Sequence, residues 1–118
     1  MIKLWLDDER PCPEGFTHAR TAVEAIRLMA EHDVEEADLD HDLGHCDACT
    51  GCQGYKSTCG CACHWTGYTV VLWMAASGTW PTKKPRVHSA NPASAANMRA
   101  VIERYFGRTL ADVLTERR

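Results

Sequence analysis

The chain has 118 residues, of which 45% are hydrophobic, and a formal net charge of −3 at pH 7. This length predicts one domain with a modest core, and no apolar run approaches the roughly 20 residues of a membrane span. Acidic residues follow the first apolar run too closely for a secretion signal, so we expect a cytoplasmic protein that does not contact membranes.

Strand and helix signals alternate through the first part of the chain. Thr21 followed by Glu24 is typical of a helix N-terminus, and Gly15 with two prolines predicts a loop before it. The predicted elements are a strand over 2–6, a short strand over 16–19, a helix to about residue 32 and a strand over 35–39. The link between the first two strands is short, so the direction of the second strand stays open.

The second part of the chain continues this alternation. Thr66 is placed to cap a helix that Gly78 ends, and Asn91 with Pro92 forms an N-cap pair for the next helix. The predicted elements are a helix over about 67–77, a strand over 86–88, a helix to about 105 and a last short helix capped by Thr109. The order predicts one α/β domain over 1–118, with a mostly parallel four-stranded sheet flanked by helices.

Polar residues follow three of the predicted strands. Because parallel strands end along one edge of a sheet, these residues should converge there. They are Asp7, Asp8, Glu9 and Arg10 after the first strand, Asp40, His41 and Asp42 after the third, and His88, Ser89 and Asn91 at the fourth. Carboxylates, imidazoles, a hydroxyl and an amide together suit a divalent cation and a phosphate group.

Charge is unevenly distributed along the chain. Residues 1–47 contain 13 acidic and 4 basic side chains, whereas residues 48–118 contain 3 acidic and 9 basic ones. The basic half would attract a phosphorylated ligand, although solvated helix faces would give the same distribution.

Several segments resemble the receiver domains of response regulators, and most closely a subfamily described as cyclic-phosphate processing receiver domains. The matching segments are Leu4–Pro11, Leu39–Gly44, Thr66–Tyr68, Val87–Pro92 and Asn97–Met98. The resemblance implies a receiver-like (flavodoxin-like) fold and the handling of nucleotide or RNA cyclic phosphates. The chain departs from ordinary receivers because it lacks a helix between the first two strands and a lysine at the end of a fifth strand. We therefore do not expect a phosphorylation switch.

Three carboxylates are the predicted ligands of a divalent cation, Mg²⁺ or Mn²⁺. They are Asp7, Asp8 and Asp40, which would repel one another without a cation. Asp42 is a weaker candidate because it can simply cap a turn. Asp38 is expected on the other face of its strand and is excluded from the site.

Two histidines are candidate proton carriers. Opening a 2′,3′-cyclic phosphate needs a base and an acid, and His41 with His88 could supply both. Ser89, Asn91 and Arg10 would hold the phosphate, and Asp40 or Ser89 as a covalent nucleophile is less favoured. A structural hydrogen bond to a loop carbonyl would explain either histidine equally well.

A cysteine-rich insert occupies residues 45–66. In a chain without a secretion signal, clustered thiols favour zinc over disulfides. The candidate ligands are Cys46, Cys49, Cys52, Cys59, Cys61 and Cys63 with His45 and His64, enough for one or two structural zinc ions. An iron–sulfur cluster or redox-active thiols remain alternatives, and the insert could also cover the strand-end site.

Three functions fit these features. The first is a metal-assisted phosphoesterase acting on a cyclic phosphate of a nucleotide or an RNA end. The second is a module that binds a nucleotide or cyclic nucleotide without turnover. The third is an interaction protein that docks a protein partner through the zinc insert.

Overall fold

The computed structural model describes residues 1–43 and 65–116. Its strands are β1 (Ile2–Leu6), β2 (Thr17–Ala19), β3 (Val34–Leu39) and β4 (Arg86–Val87). Its helices are α1 (Ala22–Glu31), α2 (Gly67–Ser77), α3 (Pro92–Tyr105) and α4 (Leu110–Glu116). The predicted zinc ligands His45, Cys46, Cys49, Cys52, Cys59, Cys61, Cys63 and His64 lie outside the described residues.

The four strands form one sheet in the order β2-β1-β3-β4, and every neighbouring pair is parallel. The direction of β2, which the sequence leaves open, is therefore parallel to β1. This order matches the first four strands of the flavodoxin-like order, in which the chain reverses its direction of travel between β1 and β3. The predicted receiver-like α/β fold is confirmed.

One face of the sheet forms the core. The buried strand residues Leu4, Leu6, Ala37 and Leu39 share a single cluster with Ala22, Ala25 and Met29 of α1, Val70, Val71 and Met74 of α2, and Met98 and Ile102 of α3. Alternation along the strands places Lys3, Trp5, Glu36 and Asp38 on the opposite face, where all four are half-buried. We call this second surface the polar face.

The helices begin at the residues whose side chains cap them. The Thr21 hydroxyl accepts the Glu24 N–H at 3.1 Å, and the Asn91 side-chain oxygen accepts the Ser94 N–H at 3.2 Å. Thr66 and Thr69 exchange side-chain and backbone bonds in a capping box at α2. These contacts satisfy N–H groups that have no partner within the helix. The predicted caps are confirmed.

The described residues that flank the cysteine-rich segment meet beside the third strand. The Gly67 N–H donates to the His41 carbonyl at 3.0 Å, although the two residues are 26 positions apart. The described residues on the two sides of the segment are therefore joined by a backbone hydrogen bond. Among the described helices, none is long and apolar enough to cross a bilayer.

Candidate functional site

Three side chains converge because three strands end in register. The three strands β1, β3 and β4 are each followed directly by one of these residues, Asp7, Asp40 and His88. The last residues of the strands are aligned, since Leu39 pairs with both Leu6 and Val87. The backbone ladder continues one step further, since the N–H of Asp40 donates to Leu6 at 2.9 Å and that of His88 to Leu39 at 3.0 Å. Sheet geometry therefore delivers the three side chains to one place.

The three residues form a compact group of potential ligand atoms. One carboxylate oxygen each of Asp7 and Asp40 and one ring nitrogen of His88 all lie within 4.8 Å of one another. Asp7 is fully buried and Asp40 is 8% exposed. A cleft of about 320 Å³ opens beside the carboxylates and is lined by Asp7, Asp8, Glu9, Arg10, Asp40, Asp42, Leu43 and Ala90.

Asp7 is held as a carboxylate. Its Oδ1 accepts the backbone N–H groups of Glu9 and Arg10, each at 2.8 Å, and its Oδ2 faces His88 Nε2 at 2.9 Å and Arg10 Nη1 at 3.1 Å. Burial alone would raise the pKa of Asp7, but these hydrogen bonds together hold it below its ordinary value. Asp7 therefore remains ionised in the site.

The surroundings of Asp40 stabilise its ionised form less than those of Asp7. Burial raises the pKa of Asp40, and the negative charge of Asp7 raises it further, although a hydrogen bond from the His41 N–H at 2.8 Å opposes both effects. The positive charges of His88 and of Arg10, whose Nη1 lies 4.0 Å from Asp40 Oδ1, offset these effects only in part. This carboxylate would gain from a nearby positive charge.

His88 lies between two carboxylates. Its Nδ1 is 2.6 Å from Asp38 Oδ1 and its Nε2 is 2.9 Å from Asp7 Oδ2. Burial would lower the pKa of His88, but the hydrogen bonds to Asp38 and Asp7 outweigh it and raise the pKa above the ordinary value. The two carboxylates therefore stabilise the protonated ring, in which both N–H groups donate.

The structure corrects the exclusion of Asp38. Residues two apart in a strand point to the same face, so Asp38 shares the polar face with Asp40 rather than lying opposite to it. Asp38 contacts the site through His88. Trp5 was also missed, and its ring stacks on the His88 imidazole with centroids 4.1 Å apart. The alternation of β1 and β3, applied to every position, would have indicated both residues.

Arg10 joins the first and fourth strand ends. Its Nη1 donates to Asp7 Oδ2 at 3.1 Å and to the His88 carbonyl at 2.9 Å, while almost half of the side chain remains exposed. A partly exposed guanidinium beside a cleft can still donate to an anion.

The other predicted residues are arranged differently. Asp8 and Asp42 line the cleft, whereas His41 turns its Nδ1 to Asp42 Oδ1 at 2.7 Å. No contact between the two histidine rings occurs in the described part of the chain. The Ser89 hydroxyl accepts the Asn91 N–H at 3.1 Å, and Asn91 caps α3. Both side chains therefore have structural partners next to the site.

The chemistry of the donor set fits a divalent cation. Two carboxylates and an imidazole suit Mn²⁺, and the carboxylates with water would suit Mg²⁺. The raised pKa of Asp40, which rests on burial and the nearby charge of Asp7, marks a place where a cation would relieve repulsion. The contacts of Asp7 with Arg10 and His88 already provide part of that compensation.

Comparison with known proteins identifies the family. A search of curated proteins found no match to the chain. The family model of the cyclic-phosphate processing receiver domain matches residues 2–104, which include all four strands and the whole strand-end site. The chain therefore belongs to the cyclic-phosphate processing receiver domain family.

Proposed function

We propose that this domain is a metal-assisted phosphoesterase that opens a 2′,3′-cyclic phosphate of a nucleotide or an RNA end. The observation that carries the proposal is the convergence of Asp7, Asp40 and His88, with potential ligand atoms within 4.8 Å of one another. The cleft of about 320 Å³ beside them is of the size that a phosphate and part of a ribose require. Family membership supports the class of substrate.

Asp7 and Asp40 are the residues that would hold Mg²⁺ or Mn²⁺, with Asp8 at the wall of the same cleft. A bound divalent cation would offset the charge of the phosphate and polarise its oxygens. Arg10 would add a second positive group, since its side chain is partly exposed and lines the cleft. The phosphate would therefore lie between Arg10 and the carboxylate pair.

His88 is the proposed proton carrier. As the phosphorus accepts the oxygen of a water molecule, its bond to one ribose oxygen breaks, and that oxygen takes the Nε2 proton of His88. The proton lost by the water returns to His88, so the net reaction adds one water and yields a phosphomonoester. The raised pKa of His88, caused by Asp38 and Asp7, favours the proton-loaded form at the start. The ring of His41 is hydrogen-bonded to Asp42, so we give His41 no role in this step.

Hydrolysis of the four 2′,3′-cyclic mononucleotides with added Mg²⁺ or Mn²⁺ tests the proposal. We expect His88→Gln to reduce turnover at least ~100-fold, the usual size of general acid–base catalysis. Asp40→Asn should lower it comparably by weakening cation binding. His32→Gln and Asp33→Asn are matched controls, because both residues are exposed just before β3, at the opposite end of that strand. Full turnover in His88→Gln would remove this mechanism.

A non-catalytic binding module is the second candidate. The observation that favours it is that both ring nitrogens of His88 already contact carboxylates and that no described contact brings His41 to it. Stoichiometric binding of a cyclic nucleotide, with the ligand recovered intact after long incubation, would support this function over hydrolysis. Loss of binding in Asp7→Asn and Arg10→Ala would locate it in the same cleft.

A further inference from the structure

In the function proposed above Asp38 only helps to raise the pKa of His88, yet it makes one of the shortest side-chain contacts of the site. Its Oδ1 lies 2.6 Å from His88 Nδ1, and both side chains are only 18% exposed. Asp38 pairs with Arg86 in the β3–β4 register, so its position below His88 follows directly from the sheet. The contact is therefore built by the fold rather than by a mobile surface side chain.

Trp5 holds the same imidazole through its flat surface. The two rings are 6° from parallel with centroids 4.1 Å apart. Trp5 Nε1 is buried and has no hydrogen-bond partner among the described residues, so packing and not hydrogen bonding sets the position of the indole. Phe16, the residue before β2, lies edge-on to the indole with ring centroids 6.3 Å apart and supports it from that side. The imidazole can therefore turn only at the cost of this stacking.

The contact with Asp38 also determines which ring nitrogen serves the site. An ionised carboxylate only accepts hydrogen bonds, so the Nδ1 that faces Asp38 carries the hydrogen. Asp7 is also an acceptor, but its contact with Nε2 is longer, at 2.9 Å, and its Oδ2 is shared with Arg10. In the neutral ring the hydrogen therefore stays on Nδ1, 2.6 Å from Asp38, and the lone pair lies on Nε2, toward Asp7. Partners of this kind fix the tautomer and orientation of functional histidines.

We propose that Asp38 and Trp5 are positioning residues that hold His88 with Nδ1 protonated and Nε2 directed at the Asp7–Asp40 pair. This inference deepens the proposed function. It rests on that function only for the chemical task assigned to Nε2. The orientation of the His88 ring does not depend on the proposed function, because the contacts with Asp38 and Trp5 set it.

A row of alternating charges on the polar face supports Asp38. Arg86 Nε lies 3.8 Å from Asp38 Oδ2, Arg86 Nη2 lies 3.7 Å from Glu36, and Lys83 donates to Glu36 at 2.9 Å. Each charge is flanked by the opposite sign. The row keeps Asp38 available as an acceptor for His88 and connects the site to the edge strand β4.

Asp38→Asn is the decisive variant. Asparagine has almost the same shape, but its amide can turn an N–H toward Nδ1 and so transfer the ring hydrogen to Nε2. We expect ¹⁵N NMR of the neutral His88 ring to report Nδ1–H in the wild type and a shift toward Nε2–H in Asp38→Asn. Mn²⁺ affinity should fall about 10–100-fold, because a hydrogen on Nε2 points at Asp7, one of the two carboxylates that would hold the ion. At pH 9, where protonated His88 contributes less to stability, the melting temperature should change little.

Two further variants separate positioning from stability. Glu36→Gln disturbs the charge row but leaves the Asp38–His88 contact, so both the tautomer and Mn²⁺ affinity should stay at wild-type values. Trp5→Phe should retain more Mn²⁺ affinity than Trp5→Leu, because phenylalanine keeps a flat surface for the imidazole.

An unchanged tautomer in Asp38→Asn would overturn the inference, as would unchanged Mn²⁺ affinity in a wild type that binds Mn²⁺. A drop in melting temperature with an unchanged ¹⁵N spectrum would also overturn it and assign Asp38 a purely structural role. If the wild type neither binds Mn²⁺ nor hydrolyses cyclic nucleotides, but Asp38→Asn still moves the ring hydrogen, the positioning role stands and the proposed function fails.

Discussion

The fold shifts the pKa values of two neighbouring carboxylates, Asp7 and Asp40, in opposite directions. Asp7 accepts two backbone N–H groups and contacts His88, so its pKa is low despite complete burial. Asp40 is similarly buried but has less compensation, and its pKa is raised by that burial and by Asp7. An ionised Asp40 therefore costs folding stability at neutral pH, a cost typical of residues kept for binding or catalysis.

Asp40→Asn should stabilise the protein when no divalent cation is present. A carboxyl whose folded pKa is raised favours the neutral form in the folded state, so its contribution is lost as pH rises through that pKa. We expect a melting temperature about 2–4 °C higher than that of the wild type at pH 7, as ~0.5–1 kcal/mol would produce in a domain of this size.

Added Mn²⁺ should reverse the order, raising the melting temperature of the wild type but not that of Asp40→Asn. Thermal unfolding with and without Mn²⁺ measures both effects. A variant less stable than the wild type in the absence of metal, with Asp33→Asn unchanged, would contradict this account of Asp40.

His88 should stabilise the fold most at mildly acidic pH. Its folded pKa is raised by Asp38 and Asp7, so its contribution is full below about pH 6.5, the unfolded value, and is lost as pH rises through the folded pKa. We expect His88→Gln to cost about 1.5–3 kcal/mol at pH 6, the range for hydrogen bonds to charged groups, and clearly less at pH 9.

Urea unfolding at both pH values measures this difference. His32→Gln controls for the general effect of pH, since His32 is exposed near the opposite end of β3. A cost that does not change between pH 6 and pH 9 would mean that the raised pKa has no part in stabilising the fold.

At the scale of the elements, the start of α2 closes over the end of β3. Gly67 is buried there and donates its N–H to the His41 carbonyl at 3.0 Å. A Cβ on Gly67 would overlap the carbonyl oxygen of Asp40 and lie 3.0 Å from Met98 Cε. Helix α2 can approach the site this closely only because residue 67 has no side chain.

Gly67→Ala should therefore destabilise the domain by at least ~3 kcal/mol, since the clash is with backbone and not with a flexible side chain. Gly15→Ala is a matched control: it has positive φ but nothing within 4 Å of an added Cβ, so ~1 kcal/mol of backbone strain is expected. Denaturant unfolding compares the two. Equal losses of unfolding free energy in the two variants would show that a Cβ at residue 67 does not clash with the carbonyl of Asp40.

At the scale of the whole molecule, the described residues on the two sides of the cysteine-rich insert form one domain. His41 and Gly67 are hydrogen-bonded at the base of the insert, and the described core contains strand and helix residues from both sides of it. We propose that the insert binds one or two zinc ions through its cysteines and histidines and adds little to the stability of the domain.

Replacing residues 45–64 by a short Gly-Ser linker tests this proposal. We expect the melting temperature to change by only a few degrees, because shortening the link between His41 and Gly67, which are hydrogen-bonded, has a small entropic effect. Zinc measured on the purified protein should fall from one or two ions per chain to none. Collapse of the fold would show that the insert belongs to the core, and zinc-free wild-type protein would refute the zinc site.

Local chemistry in the sequence determined the elements and much of the site. Alternating apolar residues predicted the strands, and Thr21, Thr66 and Asn91 predicted the helix starts because capping depends on neighbours three residues away at most. Parallel strands imply a common edge, so polar residues at strand ends could be gathered into one hypothesis from position alone. The direction of β2 could not be predicted from the sequence, because it depends on how residues 7–16 pack.

Only the tertiary structure decided the partners within the site. Whether His88 contacts His41 or Asp38 depends on the order and register of β1, β3 and β4, and the sheet places Asp38, Trp5 and Asp7 around its ring. Asn91 and Ser89 likewise engage the start of α3. Side-chain partners follow from distances of a few ångströms between segments up to 81 residues apart, and spacing along the chain does not encode such distances.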